Sequence, residues 1–281
     1  MTIAKSLKLA AAILRDAGVA QPEREAASLL MFAIKRDRTF LIAHNEYELT
    51  EAESRTYSSL IARRQTREPF QHIVRNQEFY RLDFVVSPDV LIPRHETELL
   101  VEAAIEILNG KENARILDIG TGSGCIAVSI LHNLPTVTAT AIDISESALA
   151  IAKKNADTIG VAGRIRFLRS DLYQALDPQE FEIIVSNPPY IPAEEFATLQ
   201  AEVRDFDPII ALTDGADGLS IIRKIVADAP RYLSRSGHLL VEIGFGQAAA
   251  VAEMFDLKLW VEPVFIDDMQ GIARIVKSEV K

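Results

Sequence analysis

The sequence predicts an α/β protein: a mostly parallel sheet with helices on both faces, preceded by a small helical bundle and a β-hairpin linker. Three observations carry that expectation. Residues 1–67 hold apolar stripes at helical spacing, and around residues 79–86 the period shortens towards two. From residue 114 onward, short apolar runs alternate with helical patterns. Such alternation marks βαβ units whose strands are buried on both faces.

In the first segment Ile3, Leu7, Ala10, Ala11 and Leu14 share one helical face, and Gly18 stands where that helix stops. Pro22 suits the first turn of the next helix, whose stripe includes Ala26, Leu29, Leu30 and Ala33. Thr50 and Glu53 make a capping box ahead of Tyr57, Leu60 and Ile61. Short connections make residues 1–67 a bundle. Phe79, Leu82, Phe84 and Val86 approach alternation around Arg81 and Asp83, so residues 68–92 read as a linker with a hairpin. A helix over 95–108 rests on Leu99, Leu100, Ala103, Ile105 and Leu108. In the second domain, residues 93–281, strands are expected at 115–119, 137–142, 164–168, 182–186, 238–243, 259–266 and 272–276. Helices are expected at 124–133, 145–159, 217–233 and 246–255. No helix separates the last two strands, which predicts an antiparallel pair at one edge.

Composition narrows the class. The 281 residues are 48% hydrophobic and 25% charged, which excludes global disorder, collagen and coiled coil. Forty acidic against thirty basic side chains give a net charge of −10. That balance argues against a protein held by many phosphate contacts, so no direct nucleic-acid binding is expected. A single cysteine, Cys125, excludes an internal disulfide framework and a Cys-based zinc site. The five histidines are scattered, and no metal site is expected. No apolar run approaches the roughly 18 residues of a membrane span, and Met1-Thr2-Ile3-Ala4-Lys5 does not open a signal peptide. A cytoplasmic protein without membrane attachment is therefore expected.

Asp118-Ile119-Gly120-Thr121-Gly122-Ser123-Gly124 follows the first strand of the α/β region and leads into a helix. Glycines serve there because the backbone turns sharply and a ligand approaches without interference from Cβ. The next strand ends at Asp143, about 20 residues on, where a carboxylate suits the two ribose hydroxyls of an adenosine. A dinucleotide fingerprint needs a glycine where Cys125 stands, and no Walker A lysine follows. The Gly-x-Gly-x-Gly spacing instead resembles motif I of the class I methyltransferases that bind S-adenosylmethionine. In that class the region of Asp171, after the third strand, commonly holds a carboxylate for the adenine amino group.

Asn187-Pro188-Pro189-Tyr190 comes directly after the apolar strand Ile183-Ile184-Val185-Ser186. It should therefore face the same crevice as Gly120–Gly124. Two prolines leave no N–H, stiffen the chain and keep carbonyls free to accept. Asn187 adds a side-chain acceptor, and Tyr190 an aromatic face. These groups suit a planar NH₂ on an sp² carbon: accepting both of its N–H bonds favours a more pyramidal nitrogen whose lone pair can attack a sulfonium methyl. Adenine in DNA, guanine in RNA and a glutamine side-chain amide all meet that description, so a nucleic-acid amino methyltransferase competes here with a protein-glutamine methyltransferase.

Together these residues resemble the PrmC/HemK family, the glutamine methyltransferases of class I peptide chain release factors. The resemblance extends to Val90-Leu91-Ile92-Pro93-Arg94-His95-Glu96-Thr97-Glu98-Leu99-Leu100-Val101-Glu102, to Ala211–Leu219 and to Glu242-Ile243-Gly244. It implies a Rossmann-like class I methyltransferase sheet behind a helical substrate-docking domain. The implied reaction is methyl transfer from S-adenosylmethionine to the amide nitrogen of the glutamine in a Gly-Gly-Gln loop, giving S-adenosylhomocysteine. In that reading Gly120, Thr121, Gly122, Ser123, Gly124, Asp143, Asp171, Leu172 and Asn187 bind the cofactor. Asn187 and Pro188 hold the amide, and Pro189 and Tyr190 wall its pocket. The chain departs from the family's usual pattern at His95, where proline is usual, and at Asp207-Pro208 in place of Glu-Pro. Leu172 stands where some members have an aromatic.

The charge is unevenly divided. Residues 1–75 carry 12 basic and 9 acidic side chains, and residues 76–281 carry 18 and 31. The mildly basic segment is the expected docking surface for an acidic protein partner, with Arg63 and Arg64 as candidate contacts.

Overall fold

The computed structural model describes residues 1–177 and 179–281. They cluster into two units, residues 1–76 with 200–206, and residues 77–199 with 207–281.

The first unit is helical: Ile3–Asp16, Pro22–Ile34, Arg38–Ala43, Glu51–Gln65, Phe70–Val74 and the short turn Ala201–Arg204. Local chemistry sets the helix starts. The Thr2 side chain caps the first helix, Pro22 opens the second, and Thr50 and Glu53 form the reciprocal capping box. The apolar stripes meet in one core that includes Ile3, Leu14, Leu29, Leu30 and Leu60, and the Tyr57 hydroxyl donates to the Ala26 carbonyl at 2.9 Å. Phe70–Val74, read from the sequence as linker, is helical and buries Ile73 in that core. The expected role of Arg64 as a free surface charge is corrected here. Its side chain is only 5% exposed and is paired with Glu25 and, at 3.0 Å, with Glu202. Arg63 is likewise paired, with Glu68.

The second unit begins with a two-stranded hairpin, β1 (Gln77–Phe79) and β2 (Leu82–Phe84). Its turn residues Tyr80 and Arg81 have φ of +49° and +61°, as a tight primed turn requires. The main sheet holds β3 (Arg115–Ile119), β4 (Thr138–Asp143), β5 (Ile165–Arg169), β6 (Phe181–Ser186), β7 (Leu233–Glu242), β8 (Val264–Asp267) and β9 (Ala273–Glu279). Their spatial order is β5-β4-β3-β6-β7-β9-β8. Strands β3 to β7 run parallel, while β9 is antiparallel to both β7 and β8. This is the expected edge pair.

Alternation along the strands builds two cores. Ile116, Ile183, Val185 and Leu240 face one side with Leu100, Leu108, Val128 and Ile130. Leu117, Ile184, Leu239 and Val241 face the other with Ile222, Ile225, Phe255 and Trp260. The chain moves outward from β3 to β5 and returns to β6 on the other flank of β3. That reversal opens a crevice beyond the carboxyl ends of β3 and β6.

Several elements differ in length from expectation. Helix 217–233 is observed as Ser220–Asp228 followed by a 3₁₀ turn, Ala229–Arg231, with Pro230 in that turn. Helix 246–255 contracts to Ala248–Ala252, and strand 259–266 to Val264–Asp267, just after Pro263, which has no N–H for a ladder. Strand β7 starts at Leu233 rather than 238, with a register shift opposite Phe181 and Ile183.

Candidate active site

The glycine loop is shaped by three left-handed residues, Gly120, Gly122 and Gly124, at φ of +70°, +55° and +81°. Ile142 at the end of β4 accepts from both Gly120 N and Thr121 N at 2.9 Å. Gly124 caps helix Cys125–Asn133, and a Cβ there would approach the Ala152 Cβ to 3.1 Å, so the position also fixes how closely helix Glu146–Ile159 can pack.

Two carboxylates hold this loop. Asp143 Oδ2 accepts from Gly122 N and its Oδ1 from Ser145 N, both at 2.9 Å. Burial raises its pKa, and the backbone N–H groups of Ser145 and Gly122 work in the opposite direction. Asp118, fully buried, accepts from the Thr121 hydroxyl at 2.7 Å and from Ala127 N at 3.3 Å. Burial pushes its carboxyl up to about 7 against those two hydrogen bonds. Buried Asn155 donates to the Ser123 carbonyl at 2.9 Å while exchanging two hydrogen bonds with the Val85 backbone.

The tetrapeptide beyond β6 is held as firmly. Asn187 Nδ2 donates to Thr97 Oγ1 at 3.1 Å, and the Tyr190 hydroxyl donates to Glu242 Oε1 at 3.1 Å. Gln247 Nε2 donates to the Tyr190 carbonyl at 2.9 Å, and the Gln247 side-chain oxygen accepts from Gly244 N at 2.8 Å. Glu242 is only 1% exposed. Burial pushes its carboxyl up to about 7, although the hydroxyls of Thr97 and Tyr190 lower it.

Both segments open on one cavity of about 300 Å³. Of the residues singled out from the sequence, Gly120, Thr121, Gly122, Ser123, Asp143, Asp171, Leu172, Asn187, Pro188 and Pro189 line it. Gly124 and Tyr190 are outside that lining. Gly124 serves the helix start, and Tyr190 packs on the core that contains Leu239 and Val241. Leu172 adopts φ of +48°. Asp171 accepts from Gln174 Nε2 at 3.0 Å through Oδ2.

Sequence reasoning passed over Asn155 and Gln247, and quoted Asp118, Thr97 and Glu242 within longer strings without assigning them a role. Asn155 carried a signal, a polar residue on the apolar stripe of Ala148, Ala152 and Ala156. Asp118 and Glu242 are carboxylates directly after the apolar runs Ile116-Leu117 and Leu239-Leu240-Val241, a pattern that costs free energy on burial unless the group has a task or partners.

Residues 5–74 match the PrmC N-terminal domain family, and residues 95–206 match the methyltransferase small domain family. The chain is 41% identical over 279 residues to a release factor glutamine methyltransferase of Geobacter sulfurreducens, covering 99% of this chain and 97% of that protein. It is 40% identical over 277 residues to the protein of the same description in Koribacter versatilis, covering 98% of each. Among solved structures, the hMettl16 catalytic domain in complex with MAT2A 3′UTR hairpin 6 superposes with a TM-score of 0.58 at 15% identity, over 70% of this chain and 75% of that one. A methyltransferase from Pyrococcus furiosus gives 0.51 at 16% identity, over 71% and 89%. At those identities the structures speak for the fold alone, and the family model matched by residues 95–206 makes it a class I methyltransferase sheet. Near full-length likeness to the curated relatives goes further, and the chain belongs to the release factor glutamine methyltransferase family.

Proposed function

We propose that this chain transfers the methyl group of S-adenosylmethionine to the side-chain amide nitrogen of the glutamine in the Gly-Gly-Gln loop of class I peptide chain release factors, modulating translation termination. The observation that carries the reading is that the glycine loop, Asp143 and Asn187-Pro188 line a single cavity.

The residues present fit the cofactor. Gly120 lines the cavity, and a Cβ added there would meet no protein atom within 4 Å, so the glycine leaves that space to a ligand. Asp143 offers a carboxylate for ribose, Asp171 an acceptor for the adenine amino group, and Leu172 an apolar contact. When bound, S-adenosylmethionine supplies an electrophilic methyl on a sulfonium sulfur.

The chain's own part is positioning. With Asn187 Nδ2 committed to Thr97, its Oδ1 is left to accept one N–H of the substrate amide. The Pro188 carbonyl accepts the other. Both bonds draw the amide nitrogen towards a pyramidal form, freeing the lone pair that amide resonance otherwise delocalises. The amide nitrogen held by Asn187 and Pro188 would accept the methyl that the sulfonium supplies, with the carbon–sulfur electron pair left on sulfur. The alkylated nitrogen then loses its proton to water. No base is needed before attack, because the nitrogen becomes acidic only on alkylation. Holding both reactants aligned in a desolvated cavity supplies the rest of the rate.

Substrate docking is assigned to the helical unit, residues 1–76 with 200–206, and catalysis to the unit of residues 77–199 and 207–281. Among the described residues no helix is long and apolar enough to cross a membrane. We place the enzyme in the cytoplasm, where release factors act.

Labelled-methyl transfer to a purified release factor, to its Gly-Gly-Gln glutamine→Ala variant and to DNA tests the reading. Incorporation into the unaltered release factor alone is expected. Incorporation into DNA alone would overturn it in favour of a nucleic-acid amino methyltransferase.

A further inference from the structure

Asn187 acts as an amide clamp only if its oxygen, not its NH₂, faces the substrate. The two orientations of a carboxamide are nearly isosteric, so the neighbours must choose between them. Thr97 is 1% exposed and is the neighbour that touches Nδ2. Its hydroxyl can serve as acceptor to Asn187 only if its proton is directed elsewhere. The Glu242 carboxylate lies beside it, buried, with Oε1 taken by Tyr190 and Oε2 without a partner in the present geometry.

From this arrangement we infer that Thr97 and Glu242 are positioning residues that fix the Asn187 carboxamide with its oxygen towards the substrate. An ionised Glu242 is acceptor only, so the Thr97 proton is drawn to it and a Thr97 lone pair is left for Asn187 Nδ2. The same carboxylate takes the Tyr190 hydroxyl, so one side chain at the end of β7 steadies both ends of the tetrapeptide. A proton on Glu242 reverses the chain of donors. Thr97 then donates to Asn187, the carboxamide turns over, and an NH₂ meets an NH₂.

The surroundings allow that proton near neutrality. Glu96 lies beside Glu242 from the 3₁₀ turn His95–Thr97 and Arg274 from β9, and Tyr190 and Cys125 complete its titratable neighbours. Burial outweighs the favourable contacts and holds the carboxyl about where neutral pH can protonate it. The inference rests on the proposed amide clamp, and the experiment separates the two.

Full-length wild type, Asn187→Ala, Thr97→Val, Thr97→Ser and Glu242→Gln are compared for melting temperature, S-adenosylmethionine affinity by calorimetry, and kcat and KM with a purified release factor from pH 5.5 to 9. Thr97→Val is expected to keep cofactor affinity within about twofold and lose about tenfold or more in kcat with KM little changed. Thr97→Ser should recover most of that loss. Wild-type kcat should fall as pH drops through about 7, whereas Glu242→Gln should be slow and lack that limb. Asp118 titrates in both proteins, so the difference between the profiles belongs to Glu242. A Thr97→Val kcat within twofold of wild type, a Thr97→Ser as slow as Thr97→Val, or unchanged limbs in Glu242→Gln would overturn the inference. A fully active Asn187→Ala would instead overturn the clamp itself.

Discussion

A Cβ at Gly218 would stand 2.2 Å from the Tyr190 carbonyl oxygen. The loop that carries Gly218 is wound around Asp214, which accepts from Ala216 N, Gly218 N and Ser220 N at 2.8–3.0 Å. It is packed directly onto the last residue of the Asn-Pro-Pro-Tyr segment. The backbone of that segment therefore has a fixed wall behind it.

Gly218→Ala is expected to lose about 3 kcal/mol, combining a left-handed backbone at φ +75° with a clash against main chain that cannot rotate away. The melting temperature should fall by roughly 6–12 °C. Gly215, three residues earlier at φ +76° with nothing within 4 Å of its added Cβ, is the control. Gly215→Ala should lose only the backbone part, about 1 kcal/mol. Equal losses at the two sites would show that contact with Tyr190 does not matter.

Asp143 holds the loop and faces the cavity at once. Asp143→Ala should weaken S-adenosylmethionine binding about 10- to 100-fold, the loss of charged hydrogen bonds to ribose. Asp143→Asn, which keeps an acceptor, should lie between. Calorimetric titration measures both, and an unchanged affinity in the alanine variant would remove Asp143 from the cofactor site.

Arg94 pairs with Asp207 at 2.7 Å, and the Asp207 side chain is 1% exposed. Burial pushes the Asp207 carboxyl up to about 6 despite the Arg94 charge. Because the folded value exceeds the unfolded one, the native state holds the extra proton between about pH 4 and 6. Stability from this group therefore decreases as pH rises through that window. Removing the guanidinium extends the window upward. Arg94→Met should thus be less stable by about 2 kcal/mol at pH 8, discounted for the partial exposure of Arg94, with a smaller deficit at pH 5. Thermal melts at the two pH values check this, and a deficit that does not depend on pH would contradict it.

Arg64 and Arg55 share helix Glu51–Gln65 but differ in burial. Arg64→Met leaves Glu25 and Glu202 facing each other with one cation fewer in a buried setting, and should cost about 3 kcal/mol. Arg55, an exposed partner of Glu51, should be replaceable by alanine with no measurable change in melting temperature. A silent Arg64→Met would restore this side chain as a candidate surface contact.

What the sequence disclosed follows from where its signals are local. Alternating runs fixed β3, β4, β5 and β6 within a residue or two, and the absence of a helix before residue 272 predicted the antiparallel edge. Where a proline or glycine cut across a smooth apolar run, as at Pro263, Pro230 and Gly246, the expected element was too long. The candidate site segments were legible because each is a short contiguous string at the end of a strand. Their shared cavity followed from the rule that parallel strands present their carboxyl ends together.

The groups that orient those strings were not legible, because each acts across a long separation. Asn187 and Thr97 are 90 residues apart, Tyr190 and Glu242 are 52 apart, and Asn155 reaches back 70 residues to Val85. Apolar periodicity reports that a position is buried and is silent about what it is buried against. The sequence alone determined the fold class and the family, and it marked the candidate segments at the strand ends. Only tertiary structure decided that Arg64 is an internal ion-pair partner, that Tyr190 is removed from the cavity lining, and which atom of Asn187 is tied down. Those outcomes depend on hydrogen bonds and desolvation between elements distant in the chain.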